Sequence, residues 1–326
     1  MIYIYMTYYC KTSCKGDPMK KPHAHLTRYI NRLRDRIRLN PTAFKVYTVL
    51  RILVIVTLVI NLVNKRFENA FMCVLSLFLF LLPSFFEKQL KIEIPPLFEI
   101  FIYCFIFSAE ILGEINHFYT LIPGWDTILH TLNGFLCAAI GFALVDLLNR
   151  HSENFNLSPI YLAFTAFCFS MTVGVLWEFC EFATDQLFLK DMQKDFVVRQ
   201  FASVTLDKTN QQIPVPVKGI TKTIIETKSG KEYVIEGGYL DIGIIDTMKD
   251  LIVNFIGAVV FSIIGYLYVK GRDKTGIAKK LIIYRHSEEE LQEIDAFIDR
   301  QEEKRSQKQK KIADNLNVRK KSNTKA

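Results

Sequence analysis

Six apolar runs alternate with polar segments along the chain, at about 43–63, 69–88, 96–115, 127–148, 159–182 and 248–269. Each approaches the ~20 consecutive apolar residues that a helix needs to cross a bilayer core. The pattern predicts an all-α membrane protein, a polytopic helical bundle of about six transmembrane helices. Pro95-Pro96 opens the third run, where the missing amide donors of a first helical turn cost little. Between the fifth and sixth runs the period changes. Ile220–Thr227 and Glu232–Ile235 flank Lys228-Ser229-Gly230-Lys231, which reads as a β-hairpin with a Ser-Gly turn. Pro214 and Pro216 mark an extended lead-in. A hairpin alone cannot bury a core, so this stretch is a small β-hairpin insertion rather than a domain. The chain then divides into a basic N-terminal segment (1–42), five transmembrane helices (43–186), the insertion (187–245), the sixth helix (246–270) and a charged tail (271–326).

Charge sets the expected orientation. Residues 20–38 carry seven Lys or Arg against Asp35, and Lys270, Arg272, Lys274, Lys279 and Lys280 follow the sixth run. Basic flanks mark the cytoplasmic side, so both termini are expected inside and the insertion outside. Lys65 and Arg66, in the first outer loop, run against that bias. The net charge of +8 is accounted for by these flanks, and nucleic acid is excluded as a partner; the partner is the lipid bilayer. Five of the seven cysteines lie in apolar runs, while Cys10 and Cys14 have no second Cys or His pair at zinc-finger spacing. Met19 opens a more typical basic leader than Met1, and no cleavable signal peptide is expected.

Within these apolar runs lie groups that a membrane helix normally avoids. Glu110, Glu114 and His117 run down the third helix, Asp126 and His130 open the fourth, Glu178, Glu181 and Asp185 close the fifth, and Asp246, Asp250 and Asn254 open the sixth. Successive helices alternate direction, so all four groups fall at one side of the membrane, the outer side if the termini are inside. The opposite half reads as almost purely apolar. Ionisable residues at membrane depth are costly and mark functional sites. Each also has a structural alternative. Asp126, Asp241 and Asp246 sit where helix caps sit, Trp125 and Trp177 where interfacial anchors sit, and Asp185 and Lys249 where side chains are solvated or snorkel. Asn254 suits helix–helix hydrogen bonding.

As a set, Gly124-Trp125-Asp126-x3-His130, Trp177-Glu178-x2-Glu181-x3-Asp185 and Asp246-Thr247-x2-Asp250-x3-Asn254-x2-Gly257 resemble the uncharacterised YjdF-type inner-membrane family, related to VanZ-like membrane proteins. The resemblance covers roughly residues 40–270. It departs at Thr127, where VanZ-like sequences usually place a lysine after the aspartate. It implies a multi-pass protein of the bacterial cytoplasmic membrane and says little about mechanism.

The residue types point to two chemistries. Carboxylates with an imidazole suit one divalent cation (Mg²⁺, Mn²⁺, Ca²⁺ or Zn²⁺), with Asp126, His130, Glu178, Glu181, Asp246 and Asp250 as donors. They also suit acid–base catalysis on an envelope or lipid-linked substrate, with Asp126, His130, Glu178 and Asp250 as candidate catalytic residues. Glu114, His117, Trp125, Trp177, Asp185 and Asn254 would then support them. The alternative is a proton- or cation-coupled transporter of a small solute; no inverted repeat is visible for it. Reporter fusions at Asn210 and at the C-terminus are expected to report opposite sides of the membrane. Agreement between the two would overturn the orientation.

Overall fold

The computed structural model describes residues 41–90, 92–150, 157–271, 276 and 280–285, together with positions 296, 300, 303 and 307. The basic leader with Cys10 and Cys14, His151, and most of the tail lie outside the described residues. Among the described residues, six helices are long and apolar enough to cross a membrane: Thr42–Val63, Phe67–Glu87, Pro96–Ile115, Trp125–Asn149, Pro159–Phe188 and Ile244–Val269. The protein is a polytopic helical membrane protein with a few small sheets.

The first span is helix α1 (Pro41–Val63). The second is built from α2 (Phe67–Leu79) and α3 (Leu82–Leu90). Pro83 explains the break between them, because it brings no amide hydrogen to the carbonyl of Leu79, the last residue of α2. The third span starts as α4 (Pro96–Ile106), with proline at its first turn, and continues as a π-helix over Phe107–Ile115. A single turn, α5 (Phe118–Leu121), leads to α6 (Trp125–Arg150); α7 (Pro159–Phe188) and α8 (Ile244–Val269) complete the spans. Ser158 caps α7 by accepting from the Tyr161 amide at 3.3 Å.

Two apolar cores result. In one, α6, α7 and α8 interlock through Leu136, Phe142, Leu162, Ala166 and Phe261. In the other, α1, α2 and the third span meet around Tyr47, Val54, Cys73, Phe80 and Tyr103, with the Tyr47 and Tyr103 rings 5.1 Å apart. Large apolar side chains such as Ile52, Val56, Phe71, Phe164 and Phe255 remain exposed on the outside of the bundle. In water such a surface would aggregate; it is the surface that lipid covers.

The insertion between α7 and α8 holds three two-stranded antiparallel ladders. β2 (Val197–Val198) pairs with β7 (Tyr239–Leu240), β3 (Gln200–Ser203) with β4 (Val215–Lys218), and β5 (Lys222–Glu226) with β6 (Glu232–Glu236). The last is the hairpin read from the sequence, closed by Thr227–Lys231 with Gly230 at φ +76. Asp207 ties the β3–β4 loop by accepting from the amides of Thr209, Gln211 and Ile213. The Thr209 hydroxyl and these amides together hold its carboxyl down at about 2.

At the other end of the bundle, the chain after α8 turns back onto the helices. Tyr284–Arg285 (β8) pairs with Ile92–Glu93 (β1) in the link between the second and third spans. Leu281, Ile282 and Ile283 are buried and join Ile92, Ile94 and Phe98 in the α6–α8 core. Burying each such side chain contributes about 1.5–3 kcal/mol. Deleting the chain from Ser287 onward is therefore expected to leave the yield of monodisperse, detergent-extracted protein unchanged, whereas deletion from Lys280 onward lowers its thermal midpoint. Equal behaviour of the two truncations would show that the 281–285 return contributes nothing.

Candidate functional site

The site stands on a close approach of three helices. Gly134 on α6 lies against the backbone carbonyl of Asn254 on α8, and Gly257 on α8 lies against the carbonyl of Thr131 on α6; a Cβ at either glycine would run into that backbone. Gly174 on α7 faces the Asn254 amide, where a Cβ would sit 2.6 Å from Nδ2. Asn254 is 1% exposed. Its Oδ1 accepts from Asn133 Nδ2 at 3.2 Å, its Nδ2 points to Met171 Sδ at 3.6 Å, and Ser170 Oγ donates to the Gly134 carbonyl at 2.7 Å. Small residues and side-chain amides are what close helix packing in lipid requires. This layer forms the floor of the site.

One turn above that floor sits His130. Helical spacing places Asp126 on the same face of α6, with Oδ1 3.4 Å from His130 Nε2. Asp250, one turn above Asn254 on α8, brings Oδ2 to 3.9 Å from the same nitrogen. Glu178 on α7 faces the other ring nitrogen, with Oε1 3.9 Å from Nδ1. One donor atom from each of Asp126, His130 and Asp250 lies within 4.8 Å of the others. His130, Glu178 and Asp250 are buried and Asp126 is half-buried. Among the described residues, Glu178 Oε2 and Asp250 Oδ2 have no hydrogen-bond partner although buried, which in a folded interior is costly.

The remaining acids have other partners. Glu181, also buried, accepts from the Trp177 indole at 2.7 Å. Asp246 accepts from the Lys194 amide at 2.7 Å, and Asp185 from the amides of Met192 and Gln193 at 2.6 and 2.9 Å. Asp241 accepts from the Phe196 amide and from the Ile245 amide in the first turn of α8, the capping role foreseen for it. Gln193 Nε2 donates to Thr247 Oγ1 at 2.6 Å, and Lys249 Nζ lies 3.4 Å from the centroid of the Phe196 ring. Asp185, Asp241, Asp246, Thr247 and Lys249 thus stitch the 192–196 strap across the ends of α7 and α8. Nothing in the sequence of that strap marked it.

On the third span, the π-helix carries Glu110, whose buried Oε2 has no hydrogen-bond partner among the described residues, and Glu114, which is exposed at its end. Wider π-turns recur at functional sites. The Ser108 carbonyl takes the Trp125 indole N–H at 3.3 Å, which fastens the start of α6 to the third span. Trp125 is therefore a clamp, and its ring also meets Phe118 edge-on at 5.1 Å. His117 is exposed at φ +59, in the turn before α5. Tyr119 was not anticipated. Its ring packs on Gly113, and its phenol is held protonated by burial and then by the charges of Glu114, Asp126, Glu110 and Glu181.

The opposite half is less apolar than the sequence suggested. Glu99 and Asp146 are buried there, and Tyr103 donates to Glu99 Oε1 at 2.6 Å. Glu99 is affordable because its partner sits one helical turn away, which makes the pair hard to distinguish from an ordinary amphipathic position.

A helical bundle with a buried acid/imidazole cluster defines a class, the multi-pass membrane proteins with an intramembrane polar site. Residues 46–271 match the family model described as predicted membrane protein (DUF2238), and the chain belongs to that family. A curated relative from Thermotoga maritima, described as an uncharacterized protein, is 32% identical over 107 residues, which are 32% of this chain and 53% of the relative. The chain spans about half the length of that relative. No solved structure matches.

Overpacking a tight helix contact costs about 1–3 kcal/mol. Gly134→Ala and Gly257→Ala are each expected to lower the thermal midpoint of purified protein, because the clash is with backbone. Unchanged midpoints would show that α6 and α8 do not approach this closely.

Proposed function

We propose that this protein binds a divalent cation at the Asp126–His130–Asp250 cluster, with the site opening to the extracytoplasmic face of a bacterial cytoplasmic membrane and serving an envelope or lipid-linked substrate. Both termini lie in the cytoplasm in this reading. The observation that carries it is Asp250 Oδ2, buried without a hydrogen-bond partner among the described residues and 3.9 Å from the imidazole. Several carboxylates at close range require protons or a cation among them, and oxygen donors with one imidazole suit a divalent ion. Of the wider donor set, Glu181 and Asp246 are engaged by Trp177 and Lys194 and support the site rather than bind the ion. The motif resemblance to YjdF-type and VanZ-like proteins implies a bacterial cytoplasmic membrane protein, which is where an envelope role would be exercised.

Proton- or cation-coupled transport is the second reading. Glu99, Asp146 and Ser262 are buried in the far half of the bundle, and a relay needs polar groups at both depths. The floor at Asn254, where three glycines bring the helices into contact, favours a closed cup over a path.

Elemental analysis of purified full-length protein separates the readings. Stoichiometric divalent metal in the wild type, lost in Asp250→Asn, is expected. Metal-free protein that moves protons across proteoliposomes, with the movement lost in Asp250→Asn, would replace the cation site with the transport reading.

A further inference from the structure

The arrangement around His130 is sided, and this deepens the cation reading proposed above. Both Asp126 and Asp250 approach Nε2, at 3.4 and 3.9 Å, whereas Glu178 faces Nδ1 at 3.9 Å. An ion bound by His130 uses a nitrogen lone pair, so the other nitrogen must carry the proton. With the ion on the aspartate side, that N–H points at Glu178. We infer that Asp126, His130 Nε2 and Asp250 are the three protein ligands of a first-row transition-metal ion, and that Glu178 is a positioning residue that fixes the imidazole through Nδ1–H.

The geometry agrees with that division. Metal–ligand bonds of about 2.0–2.2 Å place neighbouring ligand atoms roughly 3–3.5 Å apart. The 3.4 Å contact already has that spacing, and a small side-chain rotation of Asp250 brings in the second. Glu178 lies on the far edge of the ring and cannot share an ion with Nε2 without turning the imidazole over. A carboxylate on the second nitrogen of a metal-bound histidine orients the ring and raises its basicity. The Glu178 and Asp250 side chains are 6% and 3% exposed, and each keeps one oxygen without a hydrogen-bond partner among the described residues. For Asp250 that oxygen, Oδ2, is the atom that faces Nε2, a buried polar atom aimed at the imidazole over and above the presence of several acids; Glu178 faces Nδ1 with its other oxygen, Oε1. The floor beneath them is built separately, by Asn254, Asn133 and Ser170.

Ligand softness narrows the class of ion. Imidazole favours Zn²⁺, Fe²⁺, Co²⁺ and Ni²⁺ over Mg²⁺ and Ca²⁺, which prefer all-oxygen shells. Three protein ligands leave an open position, the arrangement of metal sites that take water or a substrate oxygen as a further ligand.

Titration of purified full-length protein with Co²⁺, followed by its visible absorption, tests the assignment. Glu178→Gln keeps an oxygen facing Nδ1 and removes the charge; it is expected to bind Co²⁺ about 10–100-fold more weakly, with the absorption bands of the wild-type complex preserved. Asp250→Asn and Asp126→Asn change or abolish those bands. Because Asp126 is half-buried, its variant stays informative if Asp250→Asn fails to fold. Millimolar Mg²⁺ is expected to leave the Co²⁺ complex intact. Bands altered in Glu178→Gln as they are in the aspartate variants would make Glu178 a ligand, and unchanged affinity would remove its positioning role; either result overturns this inference while leaving the cation site. Displacement by Mg²⁺ would overturn the choice of ion class. No Co²⁺ uptake by the wild type would overturn the cation reading itself, and this inference with it.

Discussion

The contact that everything else depends on is the backbone approach of α6 to α8, made where Gly134 meets Asn254 and Gly257 meets Thr131. In lipid, apolar side chains supply no net drive for helices to associate, so helices hold together by close packing and by hydrogen bonds. The glycines provide the first, and the Asn133–Asn254 and Ser170–Gly134 bonds provide the second. One turn further along the same faces come His130 and Asp250. The same register that packs the glycines therefore also brings an imidazole and a carboxylate together. A charged group left facing lipid would be far more costly, so the packing and the site stabilise each other.

Around that centre, the acids divide by partner rather than by residue type. Asp185, Asp241 and Asp246 accept backbone amides from the 192–196 strap or the first turn of α8. Their work is to bind an irregular segment, whose amides would otherwise lack acceptors, to the ends of two helices. Glu181 is committed to Trp177. Among the described residues, Glu178 and Asp250 deep in the α6–α8 cluster, like Glu110 on the third span, retain buried oxygens with no hydrogen-bond partner. Outer acids that organise a loop thus surround inner acids that face an imidazole. The third span joins this arrangement from the side through the Trp125–Ser108 bond, at the point where its helix widens into a π-turn.

Much of this was legible from residue order alone. Six apolar runs of membrane-spanning length dictate the helices, because a backbone in lipid must satisfy its own hydrogen bonds. Alternating helix direction puts Asp126, His130, Glu178 and Asp250 at one end without any knowledge of packing. Ser229-Gly230 between alternating strands specifies the β5–β6 hairpin through local turn geometry. What sequence spacing could not supply was rotation about each helix axis and the paths of the irregular segments. Asp246 and Asp250 are a helical turn apart, and both suited a shared donor set, yet one holds the Lys194 amide and the other faces His130. The π-turn over Phe107–Ile115, the packing of Tyr119 on Gly113 and the return of Leu281–Ile283 into the core carry no periodic signal, since each depends on how the folded segments pack rather than on residue spacing. Sequence by itself determined how many helices cross the membrane and which polar groups share a side, because those follow from local hydrophobicity and chain direction. Tertiary structure alone decided which oxygens meet which imidazole nitrogen, because that depends on the rotation and depth at which three separately folded helices lock at their glycines.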